Sequence, residues 1–486
     1  MRLHRYVGIL LVLSSFSFAN IPLHSRGKRS SGVLPISTRS AQARKMFQRG
    51  VAKMEYLRRS EALESLRAAV KADPKFVQAH ILISHLTRDA QEQQASLQKA
   101  EQFVSAVTPG EKLLVTWLAG VQEEKEVPAI AAMNDLLAQY PKDKWLQFLA
   151  GRWLLNQGRY SQAIMILQRA VTLDANYPAA WNELAYAYAW SGDFDRAFSA
   201  MDRYVALQPD EPNPHDSYGE VLRLAGKFDA ALEQYRTSIH IDPHFGSEAG
   251  VADTLAIMGK EEEAREEYER AIVFAPGETE RIEYELQSAL TWVRENNRRS
   301  AEHALREVAK HAHKAGCAQL EAESRRVLAI YDPDFKNSLK QLDAAQATIE
   351  EHPLSRTNHD EELARILRVQ ALRAAESQAP DIADTALRQL EKMAANSRNQ
   401  EIQRSFHGAR GAVLVAQTKY AEAVPELEED AEDPISIRLL WRAYSSSGAT
   451  AQAQLIADKL ANFNIPSFEQ ALVVPQFRAS MVSQAH

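Results

Sequence analysis

The sequence predicts an all-α solenoid of stacked helix-turn-helix repeats, and three observations carry that expectation. The run from Pro178 to Pro276 writes one template of about thirty-four residues three times over. Its first copy holds Trp181, Leu184, Ala185, Tyr188, Ala197, Met201 and Pro209. The second holds Tyr218, Gly219, Leu222, Ala231, Tyr235 and Pro243, and the third Val251, Ala252, Leu255, Ala264, Tyr268, Ala271 and Pro276. Closing positions recur at Pro74, Pro109, Pro141, Ala175, Pro209, Pro243 and Pro276, in steps of 35, 32, 34, 34, 34 and 33 residues. Finally, nothing in the chain reads as a strand.

Residues 1–19 read as a signal peptide. Arg2, His4 and Arg5 precede the apolar stretch Tyr6–Leu13, and Ser17 and Ala19 are the small residues a signal peptidase requires. The apolar stretch is shorter than the roughly eighteen residues that span a bilayer, so cleavage and no stable membrane insertion are expected. Residues 20–40 are basic and Ser-rich without apolar periodicity. They read as a flexible leader, because such a stretch cannot offset its ordering entropy by burial.

Seven repeats are expected over 41–279. The first carries Gly50, Ala62, Leu66 and Ala69; the second, His80 to Pro109, keeps the length but loses the small residues. The third carries Ala129 and Met133, the fourth Gly151, Tyr160, Ala163 and Leu167. Small residues recur because paired helices pack roughly 8–10 Å apart. Gly158, Gly192, Gly226 and Gly259 fall where first helices end, the place of a residue that accepts positive φ. Prolines after Asp73, Gln208 and Asp242 stop second helices, since the residue before proline leaves the helical region.

Over 280–465 the period continues as degenerate helical repeats, with longer paired helices between Leu320 and Asn396. The template returns at Gly411, Leu414, Tyr420, Ala423 and Leu427. The tail, 466–486, is richer in aromatic and β-branched residues and is expected to fold back as a cap over the last repeat.

Composition narrows the function classes. The chain has one cysteine, Cys317, so no internal disulfide can form. It contains no Asn-x-Ser/Thr acceptor site. With the signal, that pattern points to a bacterial envelope protein, periplasmic or secreted. Formal net charge is −7, and loss of Arg2 and Arg5 takes it to −9. So acidic a chain is a poor non-specific ligand for nucleic acid, and no nucleic-acid partner is expected.

No phosphate-binding loop, dinucleotide fingerprint, nucleophile elbow or His-Glu-x-x-His motif is present. His313 and Cys317 share a helix face, but His311 points off it, and two ligands do not make a structural zinc site. The expectation is therefore no enzyme, no cofactor and no metal.

The run from Ala41 to Pro276, and more weakly Gly411 to Pro434, resembles tetratricopeptide repeat proteins. Thr108 to Pro276 is similar to repeat regions that follow kinase or cyclase domains in bacterial signalling proteins. The resemblance implies a right-handed α-solenoid whose first helices line a groove for a partner peptide or protein. Carried over residue by residue, the groove positions are Leu149, Arg152 and Asn156; Asn182, Glu183, Tyr186 and Trp190; Asp216, Glu220 and Arg223; and Asp253. Spacings of three, four and seven place each set on one helix face. Chaperone-binding members clamp a terminal carboxylate at positions held here by Phe148, Glu183 and Ser217, so another ligand class is implied. An acidic groove with two arginines suggests a basic or mixed-charge partner. The reading is a non-enzymatic interaction scaffold; the alternatives are a regulatory or sensor subunit of a separate catalytic chain, or an enzyme without linear motifs.

Overall fold

The computed structural model describes residues 32–484 except 57, 88, 124 and 353. The signal peptide and the leader as far as residue 31 lie outside the described residues. Among the described residues there are twenty-five α-helices and no strand, as the all-α expectation requires.

The chain forms two compact units, one holding the described residues up to Leu207 and one those from Gln208 onward. The first unit pairs α1 (Ala41–Glu55) with α2 (Arg59–Ala72), α3 (Val77–Leu86) with α4 (Ala90–Phe103), and α5 (Pro109–Gln122) with α6 (Glu126–Gln139). It continues with α7 (Lys144–Asn156) beside α8 (Tyr160–Leu173), and α9 (Pro178–Trp190) beside α10 (Phe194–Leu207).

The second unit pairs α11 (Pro212–Leu224) with α12 (Phe228–Ile241), α13 (Glu248–Ile257) with α14 (Glu261–Val273), and α15 (Glu278–Arg294) with α16 (Arg298–Ala315). Next come α17 (Ala318–Tyr331) with α18 (Phe335–Glu351), and α19 (Arg356–Glu376) with α20 (Pro380–Asn396). Two further pairs follow, α21 (Gln400–Ala416) with α22 (Tyr420–Glu428) and α23 (Pro434–Ser446) with α24 (Thr450–Ala461). A single helix, α25 (Phe468–Gln484), ends the unit. Odd numbers up to α23 are first helices.

Helix starts follow local chemistry. Thr108 and Glu111 close a reciprocal capping box on α5, and the Asp143 carboxylate accepts the N–H groups of Trp145 and Leu146, each at 3.1 Å. Pro178, Pro212, Pro380 and Pro434 open their helices, where the missing N–H costs nothing.

Pairing follows one packing rule. Gly50, Gly151, Gly219 and Gly411 lie on first helices, and each is covered by the residue sixteen positions later on the second helix: Leu66, Leu167, Tyr235 and Leu427. A Cβ at Gly151 would stand 2.5 Å from Leu167 Cγ. Tyr235 is held twice, because Gly250 of the next first helix meets its other side; a Cβ there would lie 2.3 Å from Cε1.

Turns between paired helices also repeat. Gly158, Gly192, Gly226, Gly259 and Gly448 have φ between +64° and +81°. In each turn the N–H of the next residue returns to a carbonyl five positions back, as from Arg159 to Leu154 at 2.9 Å. Asn296, Gln378 and Thr418 make the same turn at φ +54°, +55° and +59°.

One segment departs from expectation. Residues 32–39 are not a flexible leader but an extended strap across the starts of α3, α5 and α7. Leu34, itself buried, donates its N–H to Asp143 at 2.9 Å, and Gln78 donates to the Pro35 carbonyl at 3.1 Å. The Ser37 hydroxyl reaches Glu111 and the Thr38 hydroxyl reaches Asp73. Hydrogen bonds hold the strap, which is why apolar periodicity gave no sign of it.

Two stability outcomes follow. Gly250→Ala should lower the unfolding free energy by about 1–3 kcal/mol, because Tyr235 has nowhere to go; an unchanged denaturant midpoint would contradict the packing rule. Thr418→Gly should raise stability by up to about 1 kcal/mol, since a branched side chain at positive φ costs more than glycine's added chain entropy. A lower midpoint for that variant would show the turn to be unstrained.

Candidate functional site

In the first unit, the thirty-four-residue period sets Arg152 against Tyr186 and Asn156 against Trp190 along α7 and α9. The structure draws part of this set together: Arg152 Nε lies 3.4 Å from Glu183 Oε1. Asn182, Glu183 and Tyr186 are only 4 %, 1 % and 9 % exposed, so they are inner residues rather than the open groove lining expected. Trp190, Asn156 and Arg152 are half-buried and form the accessible part. The amide oxygens of Asn156 and Asn182 are buried and accept no hydrogen bond. Since amide oxygen and nitrogen are assigned from their surroundings, either end of the half-buried Asn156 side chain can meet an incoming partner.

Two features of this unit escaped the sequence. His85, at the end of α3, keeps one side in solvent and is otherwise surrounded by protein. That enclosure, with Arg152 and Arg59 beyond it, holds its imidazole down to about 4, so it is neutral near pH 7. Lys144, at the start of α7, bridges Glu55 at 3.2 Å and Asp174 at 2.8 Å and lies 4.7 Å over the Tyr177 ring. This ties the end of α1 to α7 and to the turn before α9, and α1 packs directly on α9. Contacts this distant in sequence leave no linear signal.

In the second unit, Asp216, Glu220 and Arg223 lie on α11 and Asp253 on α13. Arg223 and Asp253 are 4 % and 3 % exposed, which corrects their reading as open lining. Burial works against the Arg223 charge, but Tyr235, Asp253 and Glu220 together hold its pKa well above the ordinary value. Two of its nitrogens, Nε and Nη1, still have no acceptor. Asp253 accepts the Tyr268 hydroxyl at 2.6 Å, and Asp216 accepts the Ser247 hydroxyl at 2.7 Å. Each charge that suggested a basic partner is thus engaged inside its own unit.

A further element lies on this unit, α25. The tail does not stop at capping the last pair: it runs along the first helices of the second unit. Asn464 donates to the Leu224 carbonyl of α11 at 3.4 Å, and Arg478 donates to the Ile257 carbonyl of α13 at 3.0 Å. Gln470 meets Arg294 of α15, Phe468 lies under Arg326 of α17, and Phe477 packs edge-on to Trp441 of α23 with centroids 5.2 Å apart. The face beneath is crossed by ion pairs: Arg326 to Glu362 at 2.9 Å, Arg368 to Asp430 at 2.6 Å, and Arg365 to Glu401 at 3.1 Å.

The residues weighed as metal ligands face different partners. His311 sits 2.7 Å from both Glu278 and Glu285, while His313 faces Glu321 at 3.1 Å. Among the described residues no group of three or more His, Cys, Asp or Glu is placed to hold a metal, and no helix is long and apolar enough to cross a membrane.

Sequence models of the Tetratricopeptide repeat family match residues 154–218 and 129–178, the stretch holding α6 to α10 and the start of α11. Residues 129–218 thus carry tetratricopeptide repeats. Superkiller complex protein 3 of Mus musculus is 25% identical over 118 residues, 24% of this chain and 8% of that protein. The protein O-mannosyl-transferase TMTC1 of Homo sapiens is 24% identical over 153 residues, 30% of this chain and 17% of that one. The chain therefore spans less than a fifth of either relative. Among solved structures, the hetero-tetramer Cut9-Hcn1 of the APC/C is similar at 17% identity and a TM-score of 0.40, covering 85% of this chain and 79% of that one. Tetratricopeptide repeats are scaffolds for protein–protein interaction, and the site is best treated as such a surface.

Proposed function

We propose that the chain is a non-enzymatic scaffold that binds a partner peptide or protein on the first-helix face of its first unit, at the ends of α7 and α9. The observation that carries this reading is the buried amide oxygen of Asn156, which accepts no hydrogen bond at the end of α7, level with the half-buried Trp190 at the end of α9. Buried polar groups are seldom left without partners, and a peptide main chain supplies both donors and acceptors. An aromatic anchor beside them is the residue type that most often dominates interface energy. Arg152 and Glu183 neutralise each other there, so recognition rests on amides and ring surface more than on net charge.

The Asn156→Ala/Trp190→Ala double variant should keep its helical circular dichroism yet lose its main partner in a pull-down, with a cost of roughly 2 kcal/mol or more for the tryptophan alone. Undiminished capture of that partner by the folded double variant would place the functional surface elsewhere. Arg223 does not belong in this test, because its burial makes truncation a stability change.

The residue pattern of 1–19 supports an exported location, in a bacterial envelope or outside it. An envelope-fraction protein with an intact mass starting near Asn20 is the expected result. Recovery of the full-length chain from a membrane pellet would argue for an anchor.

A further inference from the structure

We propose that the first-helix face of the second unit is a helix-binding groove, that α25 is its resident and displaceable ligand, and that a partner helix bearing the same apolar stripe takes its place. This extends to the second unit the reading that first helices bind partners.

The seating of α25 is the first argument. Its contacts come from α13, α15, α17 and α23, and Asn464 just before it reaches α11, all first helices, over a span that a simple terminal cap would not cover. Phe468, Ala471, Val474 and Phe477 recur every three residues and are all buried. An apolar stripe laid into a groove with such spacing is a recurrent mode of helix recognition.

The second argument is the floor of the groove. A face built for stability alone would be apolar, since buried ion pairs can often be replaced by hydrophobic residues without loss. Here Arg223, Arg294 and Arg326 are buried on the first helices α11, α15 and α17. One of them is not fully satisfied, for Arg223 Nε and Nη1 lack acceptors. An incoming helix with acceptors at those points would fit the floor better than α25 does.

Release is also provided for. Residues 462–467 form a short non-helical tether containing Pro466. Pro475 lies inside α25 and forfeits one internal hydrogen bond, so the helix depends on its seat. Glu469, near its start, faces Asp433 beside α23, Arg326 of α17 with its partner Glu362, and Arg368 of α19 with its partners Asp430 and Asp433. Burial, and then Asp433, push the Glu469 carboxyl up to about 7 against the pull of the two arginines, and Asp430 is likewise raised to about 7 by burial. An acid whose pKa is higher in the docked state favours docking while protonated. Docking is therefore weakened as pH rises from about 4.5 through 7.

Hydrogen–deuterium exchange on the intact chain tests the proposal without altering it. At pH 7.5 the amides of α25 should exchange at least tenfold faster than those of α15 and α17, after correction for intrinsic rates. Glu469→Gln should slow them severalfold, as should a shift to pH 5.5. A second measurement uses a labelled synthetic peptide of residues 462–484 as probe. It should bind a full-chain Phe468→Ala/Phe477→Ala variant at least tenfold more tightly than the unaltered chain. Protection of α25 equal to that of α15 and α17 would overturn the proposal, as would equal probe binding to both chains when the variant is folded. If the variant does not fold, the exchange result decides. Neither measurement involves the partner of the first unit, so failure here leaves the Asn156/Trp190 result standing.

Discussion

Everything in this molecule depends on a large side chain of one helix lying over a glycine or alanine of the helix before it. Leu66 over Gly50, Leu167 over Gly151, Tyr235 over Gly219 and Leu427 over Gly411 repeat the same contact at the same sequence distance. The contact is local, so each pair buries its apolar side against its neighbours and needs no common core. It also consumes only the side of each first helix that faces its own pair. The opposite side of α3, α7, α9 and their later counterparts is left to be covered by something else.

The two units meet that requirement differently. In the first, α1 is carried onto α9 and Lys144 pins its end, while the strap of residues 32–39 crosses three helix starts on hydrogen bonds to Asp73, Gln78, Glu111 and Asp143. In the second, α25 lies along the first helices over a floor of arginines and carboxylates. Glu401 shows the electrostatic balance of that floor: burial alone would raise its pKa, yet Arg365, with Arg404 and Arg368 beyond, holds it down at about 2. Such pairs return little net stability once their desolvation is counted, though breaking one is expensive. Their value is in fixing which occupant fits.

Legibility in the sequence follows the same division. Residues up to Pro276 could be read because their turns use glycine and their second helices end at proline. Further on, Asn296, Gln378 and Thr418 adopt the same left-handed turn without glycine, and α19 grows to 21 residues, so both markers fade while the geometry persists. Spacing alone put each set of groove positions on one helix face. Spacing cannot say what lies on a face, and so Asn182, Glu183, Tyr186, Arg223 and Asp253 read as open when they are buried. The strap was invisible for a related reason: polar hydrogen bonds between residues as far apart as Leu34 and Asp143 have no period to detect.

A tethered occupant changes what a partner must achieve. A short linker holds α25 at an effective concentration on the order of millimolar. A partner helix present at about a micromolar must then bind roughly a thousand times more tightly than α25 does, which is about 4 kcal/mol, to share the groove equally. Two parts of the difference are already visible: Arg223 keeps two nitrogens without acceptors, and the Glu469 carboxylate penalises docking once it ionises. The groove is thus closed to weak helices and open to one that brings acceptors to Arg223, a selectivity that an empty groove of the same apolar surface would lack.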